Sequence, residues 1–368
     1  MNGTSTATYT DRMMADPEGS ATLDAAKRRS AELESQIAAD PGKFRILTGD
    51  RPTGPLHVGH YFGTLANRVR LQNAGVQLFV LIADYQVLTD RDIADRLSER
   101  VEGLVADYLA IGIDPAAATI FVHSAAPALN QLMLPFLSLV SVTELRRNPT
   151  VKQDIALSSQ RAVTGLTLTY PVHQAADILF CKANLVPVGK DQLPHLEVAR
   201  AIARRFNERY AGGDRFFPLP DPLLSAAPSL LGTDGAKMSK SRGNTIALSA
   251  TADETARLIR SAKTDGRRDI SYEPAARPEV SSLVLLAALC QGRDPEQVAD
   301  ELGARGAASL KRTVTESVNE LLRPIRARRA EFAADVGLLR DVLREGNARA
   351  AAIASRTLTG VHALMGTG

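Results

Sequence analysis

The chain has 368 residues, 45% of them apolar and 23% charged, with a formal net charge of +3. That size and balance describe a globular protein with room for two domains, and they exclude collagenous and low-complexity classes. A balance so near neutrality does not declare a nucleic-acid binder, so such a role requires a local basic patch.

Residues 1–20 lack the apolar core of a secretory signal and read as an unstructured tail. LDAAKRRSAELESQIAAD, 23–40, reads as a polar helix stopped by Pro41 and Gly42. FRILTG, LFVLIAD and TIFVHSA read as buried strands. YFGTLANRVRLQNAG and RDIADRLSERVEGLVADYLAIG separate them as helices. This alternation predicts an α/β fold with a parallel sheet and right-handed crossovers. Residues 125–168 are mostly helical and interrupt the pattern as an insertion. LVPVG is the next strand and PHLEVARAIARRFNERY the next helix. Beyond Asn244 strand patterns fade. The expected organisation is an N-terminal extension (1–43), an α/β domain (44–249) and a helical domain (250–368) whose last helix packs back on the α/β domain. LVLLAALC, the longest apolar run, is too short to span a bilayer. Cys181 and Cys290 make neither a disulfide framework nor a metal-ligand spacing, which fits a reducing cytosol.

Two stretches carry phosphate chemistry. TGDRPTGPLHVGHYFG, Thr48 to Gly63, follows the first strand and opens a helix. Its His57 and His60 are three apart, so one helical turn points both at one ligand. Gly59 has no side chain to block a base or sugar, and a helix N-terminus favours phosphate. Alone, H-x-G-H also describes two surface histidines beside a turn. GTDGAKMSKSRGN, Gly232 to Asn244, is a loop by composition, with Lys237 and Lys240 as cationic heads. Two lysines in a loop are usually solvated; the functional reading has them meet charge that develops on a polyphosphate. Walker A and G-x-G-x-x-G patterns are absent from the sequence.

Together these stretches resemble the HIGH and KMSKS elements of class I aminoacyl-tRNA synthetases. GIDP at Gly112–Pro115, YPVHQAAD from Tyr170, VPVGKDQ at Val186–Gln192 and LLRPIRARRAEF at 321–332 narrow the resemblance to the tyrosyl/tryptophanyl branch. It extends from about Phe44 to the C-terminal end. The resemblance implies a Rossmann-like nucleotide-binding domain and an α-helical tRNA-binding domain. It also implies ATP with Mg2+, an amino acid and tRNA as partners, a cytoplasmic homodimer, and no membrane association. It places the ATP phosphates against His57 and His60, the nucleotide face against Gly59, and the leaving pyrophosphate against Lys237 and Lys240. Thr53, Gly54, Gly189, Met238, Ser239 and Ser241 surround the nucleotide, and Asp191 holds its ribose. Leu47, Gly49, Arg51, Val188 and Gln192 lie beside the amino acid. Lys152 in NPTVKQD is a candidate extra cation near ATP.

YPVHQAADI puts Tyr170, Gln174 and Asp177 at i, i+4 and i+7, one helical face, and Pro171 suits a first helical turn. By the resemblance, Tyr170 and Gln174 hold the substrate ammonium and Asp177 accepts from the substrate's side chain. Gln174 stands where many tryptophanyl enzymes have Met, as in a variant subgroup that shares TGDRPTG. A tyrosyl pocket adds a Tyr two residues before the strand's Gly; here Leu47 stands there, which favours indole over phenol. The expected substrates are thus L-tryptophan and tRNA(Trp), with tyrosine as the rival. Small adenylyltransferases share H-x-G-H but need no KMSKS, and a non-catalytic paralogue would be expected to lose motif residues. Trp is absent from the chain, which carries little in a sequence only 5% aromatic.

Between Arg305 and Arg329 seven basic residues, Arg305, Lys311, Arg312, Arg323, Arg326, Arg328 and Arg329, face two acids, Glu316 and Glu320. They suit phosphate contacts, although most such runs are merely solvated. QLMLPFLSLVSV in the insertion offers apolar surface for a second copy, or ordinary core.

Overall fold

The computed structural model describes residues 17–89, 96–157, 163–189, 192–224 and 230–367. Most of the expected tail lies outside them. Helix α1 (Pro17–Ala39) starts inside that tail's expected range, with a proline at its first position, where the missing N–H costs nothing. β1 (Arg45–Asp50) leads through a loop to α2 (58–73), which passes through a π-helical turn at Tyr61–Leu65. β2 (Gln77–Ile82), α3 (Leu97–Ile111) and β3 (Ala118–Val122) follow. Gly112, at φ 104°, closes α3 in a conformation that favours glycine.

Four short helices occupy the expected insertion: α4 (Pro127–Gln131), α5 (Met133–Leu137), α6 (Val142–Arg147) and α7 (Pro149–Leu157). Next come α8 (Gly165–Leu179), β4 (Leu185–Val188), α9 (Leu193–Tyr210) and β5 (Asp221–Leu224). The rest is helical: α10 (Ala252–Arg260), α11 (Pro278–Gln291), α12 (Pro295–Leu302), α13 (Gly306–Ala334) and α14 (Val336–Met365).

The five strands are parallel, in the order β3-β2-β1-β4-β5. Successive strand residues supply opposite faces, as a two-residue period requires. Ile46, Val80 and Ile120 join Leu104 and Tyr108 of α3, Val284 of α11 and Leu322 of α13 in one apolar layer. Leu47, Leu81 and Phe121 join Val172 of α8, Phe206 of α9 and Ala354 of α14 in the other. The strand order reverses between β1 and β4, and ligands of such sheets gather at the carboxyl ends beside that reversal.

A helix closes each open edge of the sheet. On β3, Val122 N donates to Asn347 Oδ1 of α14 (3.0 Å), and Arg349 Nη2 donates to Ala118 O (3.1 Å). Gly346 sits so close between them that a Cβ there would lie 1.8 Å from Ile120 O. On β5, Leu224 N donates to Ser30 Oγ of α1 (2.9 Å), and Arg29 pairs with Asp221 at 2.7 Å. Covered edges offer no template for another strand.

In the insertion Leu132, Phe136 and Leu139 are core, whereas Leu134 and Val142 are 77% and 58% exposed. Among the described residues, no helix is long and apolar enough to cross a membrane.

Five of the seven side chains in the basic run make hydrogen bonds or ion pairs within the chain, and none of the seven is buried. Arg329 pairs with Asp107 and Arg328 donates to Ala110 O, both on α3. Arg326 donates to Asn319 and Thr255, Lys311 to Arg260 O, and Arg323 pairs with Glu320. α13 packs on α3, so Arg328 and Arg329 reach a carbonyl and a carboxylate of that helix.

Candidate active site

The loop after β1 is braced from behind. Asp50 accepts from Arg68 Nη1 at 2.6 Å and from Tyr108 Oη at 2.7 Å. Burial alone would raise the Asp50 pKa, but the charge and hydrogen bond of Arg68 outweigh it and lower it to about 2. Leu56 N donates to Asp107 Oδ2 at 3.2 Å, and the other oxygen of Asp107 takes Arg329. Burial raises the Asp107 pKa, against the charge of Arg329.

His57 caps α2 in extended conformation, and its N–H donates to His60 Nδ1 at 3.2 Å. A neutral His60 ring therefore carries its proton on Nε2. The rings lie 3.6 Å apart between centroids. Burial lowers the pKa of His57 to about 3 and of His60 to about 4, helped at His57 by its histidine neighbour and opposed in both by Asp50. Both rings are neutral at pH 7.

This has a measurable consequence. Unfolded histidines titrate near the ordinary value of 6.5, so below that pH the unfolded chain binds protons that the folded rings refuse. The stabilisation is whole above that pH and is lost as pH falls toward the folded values, by up to about 1.4 kcal/mol per pH unit per ring. The urea midpoint should fall between about pH 6.5 and pH 4, and less steeply in His57→Asn. A flat midpoint would contradict neutral buried rings.

The second signature is brought to the first by main-chain pairing. Val58 N donates to Ile246 O at 3.0 Å, and Leu248 N to Leu56 O at 2.9 Å. The segment just after the loop thus runs antiparallel to the H-x-G-H segment. Asn244, 3% exposed, organises the loop itself. Its Oδ1 accepts from Ser239 N (2.8 Å), and its Nδ2 donates to Asp234 Oδ1 (2.7 Å) and Lys237 O (3.1 Å). Lys240 Nζ donates to Gly54 O at 2.7 Å. Burial lowers the Lys240 pKa, with Asp50 and Asp107 acting in the opposite direction. Lys237 is exposed. A Cβ on Gly59 would lie 2.8 Å from Met238 Sδ and 3.0 Å from the His57 ring, so this glycine admits the second signature against the first.

The polar face of α8 lies across β1 from these groups. The helix starts at Gly165, where the Thr164 side chain accepts from Thr167 N at 3.2 Å. Pro171 is therefore interior rather than in the first turn, because the threonine cap sets the start one and a half turns earlier. Tyr170 Oη meets His195 Nε2 at 3.1 Å, and Gln174 Nε2 reaches Gln192 Oε1 at 3.5 Å. Asp177, 2% exposed, already has a donor: His123 Nε2 lies 2.7 Å from its Oδ1. His173 Nε2 lies 2.7 Å from Asn130 Oδ1. Ligand-type atoms of His123, His173 and Asp177 fall within 4.8 Å of one another, and these hydrogen bonds account for the cluster.

Leu47 is buried in one layer with Ala176, Val186 and Val188. At Gly49 a Cβ would lie 2.6 Å from Leu81 O, so strand packing alone requires that glycine. Gly54 has φ 143°. Arg51 and Lys152 are exposed, Thr53 and Gly189 half-buried. Asp191 and the Ser241 side chain lie outside the described residues. Asp50, Asp107, Asn130 and His123 escaped the sequence reading. For His123 the one available signal is a histidine within an apolar strand stretch, which by itself does not name Asp177 as its partner.

The model of the family of tRNA synthetases class I (W and Y) matches residues 40–323. A tryptophan--tRNA ligase of Clostridium longisporum is 40% identical over 333 residues, 87% of this chain and 96% of that protein. One from Treponema pallidum (strain Nichols) is 41% identical over 340 residues, 88% of this chain and 97% of that protein. The crystal structure of a tryptophanyl-tRNA synthetase from Campylobacter jejuni with ADP and tryptophan matches with a TM-score of 0.75 at 29% identity, covering 88% of this chain and 100% of that one. With both signatures paired at the carboxyl end of β1, and relatives matched over nearly their whole length, the chain belongs to the class I tRNA synthetases of the W and Y family.

Proposed function

We infer that the chain is a tryptophan--tRNA ligase: it activates L-tryptophan with ATP and transfers it to tRNA. The observation that carries the substrate is the 40% identity to a tryptophan--tRNA ligase across 96% of that protein's length. The tryptophan carboxylate attacks the α-phosphorus of ATP, whose Mg2+ arrives with the nucleotide as substrate. Pyrophosphate leaves, and the activated tryptophan passes to the terminal adenosine of tRNA. No side chain needs to become a nucleophile; positioning and charge stabilisation do the catalysis.

In this reading His57 and the Nε2–H of His60 meet the phosphates, and Gly59 lies beside the nucleotide. Lys240 sits against Gly54 O, at the loop that would hold the polyphosphate, and neutralises charge on the leaving pyrophosphate together with the more exposed Lys237. Tyr170 and Gln174 hold the ammonium, Asp177 accepts from the indole N–H, and Leu47 packs on the ring. We assign residues after 250 to tRNA recognition. The exposed Leu134 and Val142 are the surface for a second copy, and the place of action is the cytoplasm.

ATP–pyrophosphate exchange with tryptophan, with tyrosine and without amino acid tests the reading. Exchange with tryptophan alone is expected; exchange with tyrosine alone would overturn it.

A further inference from the structure

His123 stands at the carboxyl end of β3, completely buried, and its Nε2 meets Asp177 Oδ1 at 2.7 Å. Asn130 fixes the surroundings. Its Nδ2 donates to His123 O (2.9 Å) and Ala126 O (3.3 Å), so its Oδ1 is the atom that faces His173. His173 must then donate from Nε2 and carry its proton there. The His123 and His173 rings lie 4.6 Å apart, and the Tyr85 ring stacks on His123 at 6.2 Å. The imidazole of His123 thus packs beside two rings, with its main-chain carbonyl pinned by Asn130. Its Nδ1 is buried and has no hydrogen-bond partner among the described residues. A bare lone pair there costs less than an unpaired N–H, so the arrangement suits the tautomer that donates from Nε2 to Asp177.

A lone carboxylate on a helix turns about its last torsion with a broad, two-fold preference. Asp177 is prevented from doing so by a donor that is itself fully buried, with its main chain held by Asn130. We propose that His123 is a positioning residue for tryptophan selection: it engages Asp177 Oδ1 and thereby aims the second carboxylate oxygen at the ring N–H of the substrate. The acceptor that reads the indole is then a His–Asp pair assembled from β3 and α8. This rests on the reading of Asp177 as the side-chain acceptor.

The test compares exchange kinetics for tryptophan and for β-(3-benzothienyl)alanine, which has the same shape but sulfur in place of the ring N–H. Wild type should prefer tryptophan, and Asp177→Ala should abolish that preference. His123→Leu should cut the preference at least about tenfold while KM for ATP stays within about twofold. His123→Gln, which returns a donor at similar reach, should restore most of it. His123→Asn, too short to reach Asp177, should behave as the leucine variant and serves if that variant does not fold.

If Asp177→Ala loses the preference but His123→Leu and His123→Asn keep the wild-type ratio, the histidine merely braces the fold and the proposal fails. If Asp177→Ala keeps the preference, the reading of Asp177 fails instead.

Discussion

Lys240→Ala should slow ATP–pyrophosphate exchange by about a hundredfold to a thousandfold, while tryptophan binding, followed by calorimetry, stays near wild type. The asymmetry follows from where the ammonium sits. It is fixed on Gly54 O, in the loop proposed to hold the polyphosphate, whereas the residues proposed to hold tryptophan lie on α8. Burial lowers its pKa by withdrawing it from water, and the same withdrawal strengthens its pull on a developing anion. Charge on the leaving pyrophosphate grows as the bond to the α-phosphorus breaks, so the interaction is stronger in the transition state than in the ground state. Lys237→Ala should cost less, since that side chain is exposed. Unchanged exchange in Lys240→Ala would remove the loop from the chemistry.

Asp177→Ala should lower kcat/KM for tryptophan by about a hundredfold or more and leave KM for ATP near wild type. Two losses combine. The substrate's N–H enters a pocket without its acceptor, and His123 Nε2 is left buried without its partner. The second loss should also reduce folding stability by about 1–3 kcal/mol, read from denaturant unfolding without substrate. Wild-type kinetics with tryptophan would refute the assignment; a stability loss alone would make the pair structural.

What the sequence made legible was what is written contiguously. H-x-G-H, KMSKS and YPVHQAADI each lie within one loop or one helix, so residue type and spacing sufficed. Four strands, β1 to β4, were legible as short apolar runs. β5 was not, because DPLL is only four residues long, opens on an aspartate and has Pro222 inside. The pairing of Leu56–Val58 with the segment around Ala247 joins stretches some 190 residues apart through main-chain groups, which leave no mark on side-chain pattern. His123 and Asp177 are 54 residues apart on different elements, so neither announces the other. The partners of the α13 arginines were hidden for a related reason. Composition counts charges, whereas packing on α3 decides what Arg328 and Arg329 bond to.

The closed edge of β3 has a consequence for the growing polypeptide. Its outward-facing groups at Ala118, Ile120 and Val122 wait for Gly346, Asn347 and Arg349, more than 220 residues later in synthesis. Until the last helix has left the ribosome, a nascent chain carries a long parallel sheet with one side unsealed, the kind of edge that pairs with a neighbour on the same polysome. A premature stop before α14 would therefore yield not a shortened ligase but an adhesive strand, and its burden on the cell would fall on chaperones and proteases rather than on the supply of charged tRNA.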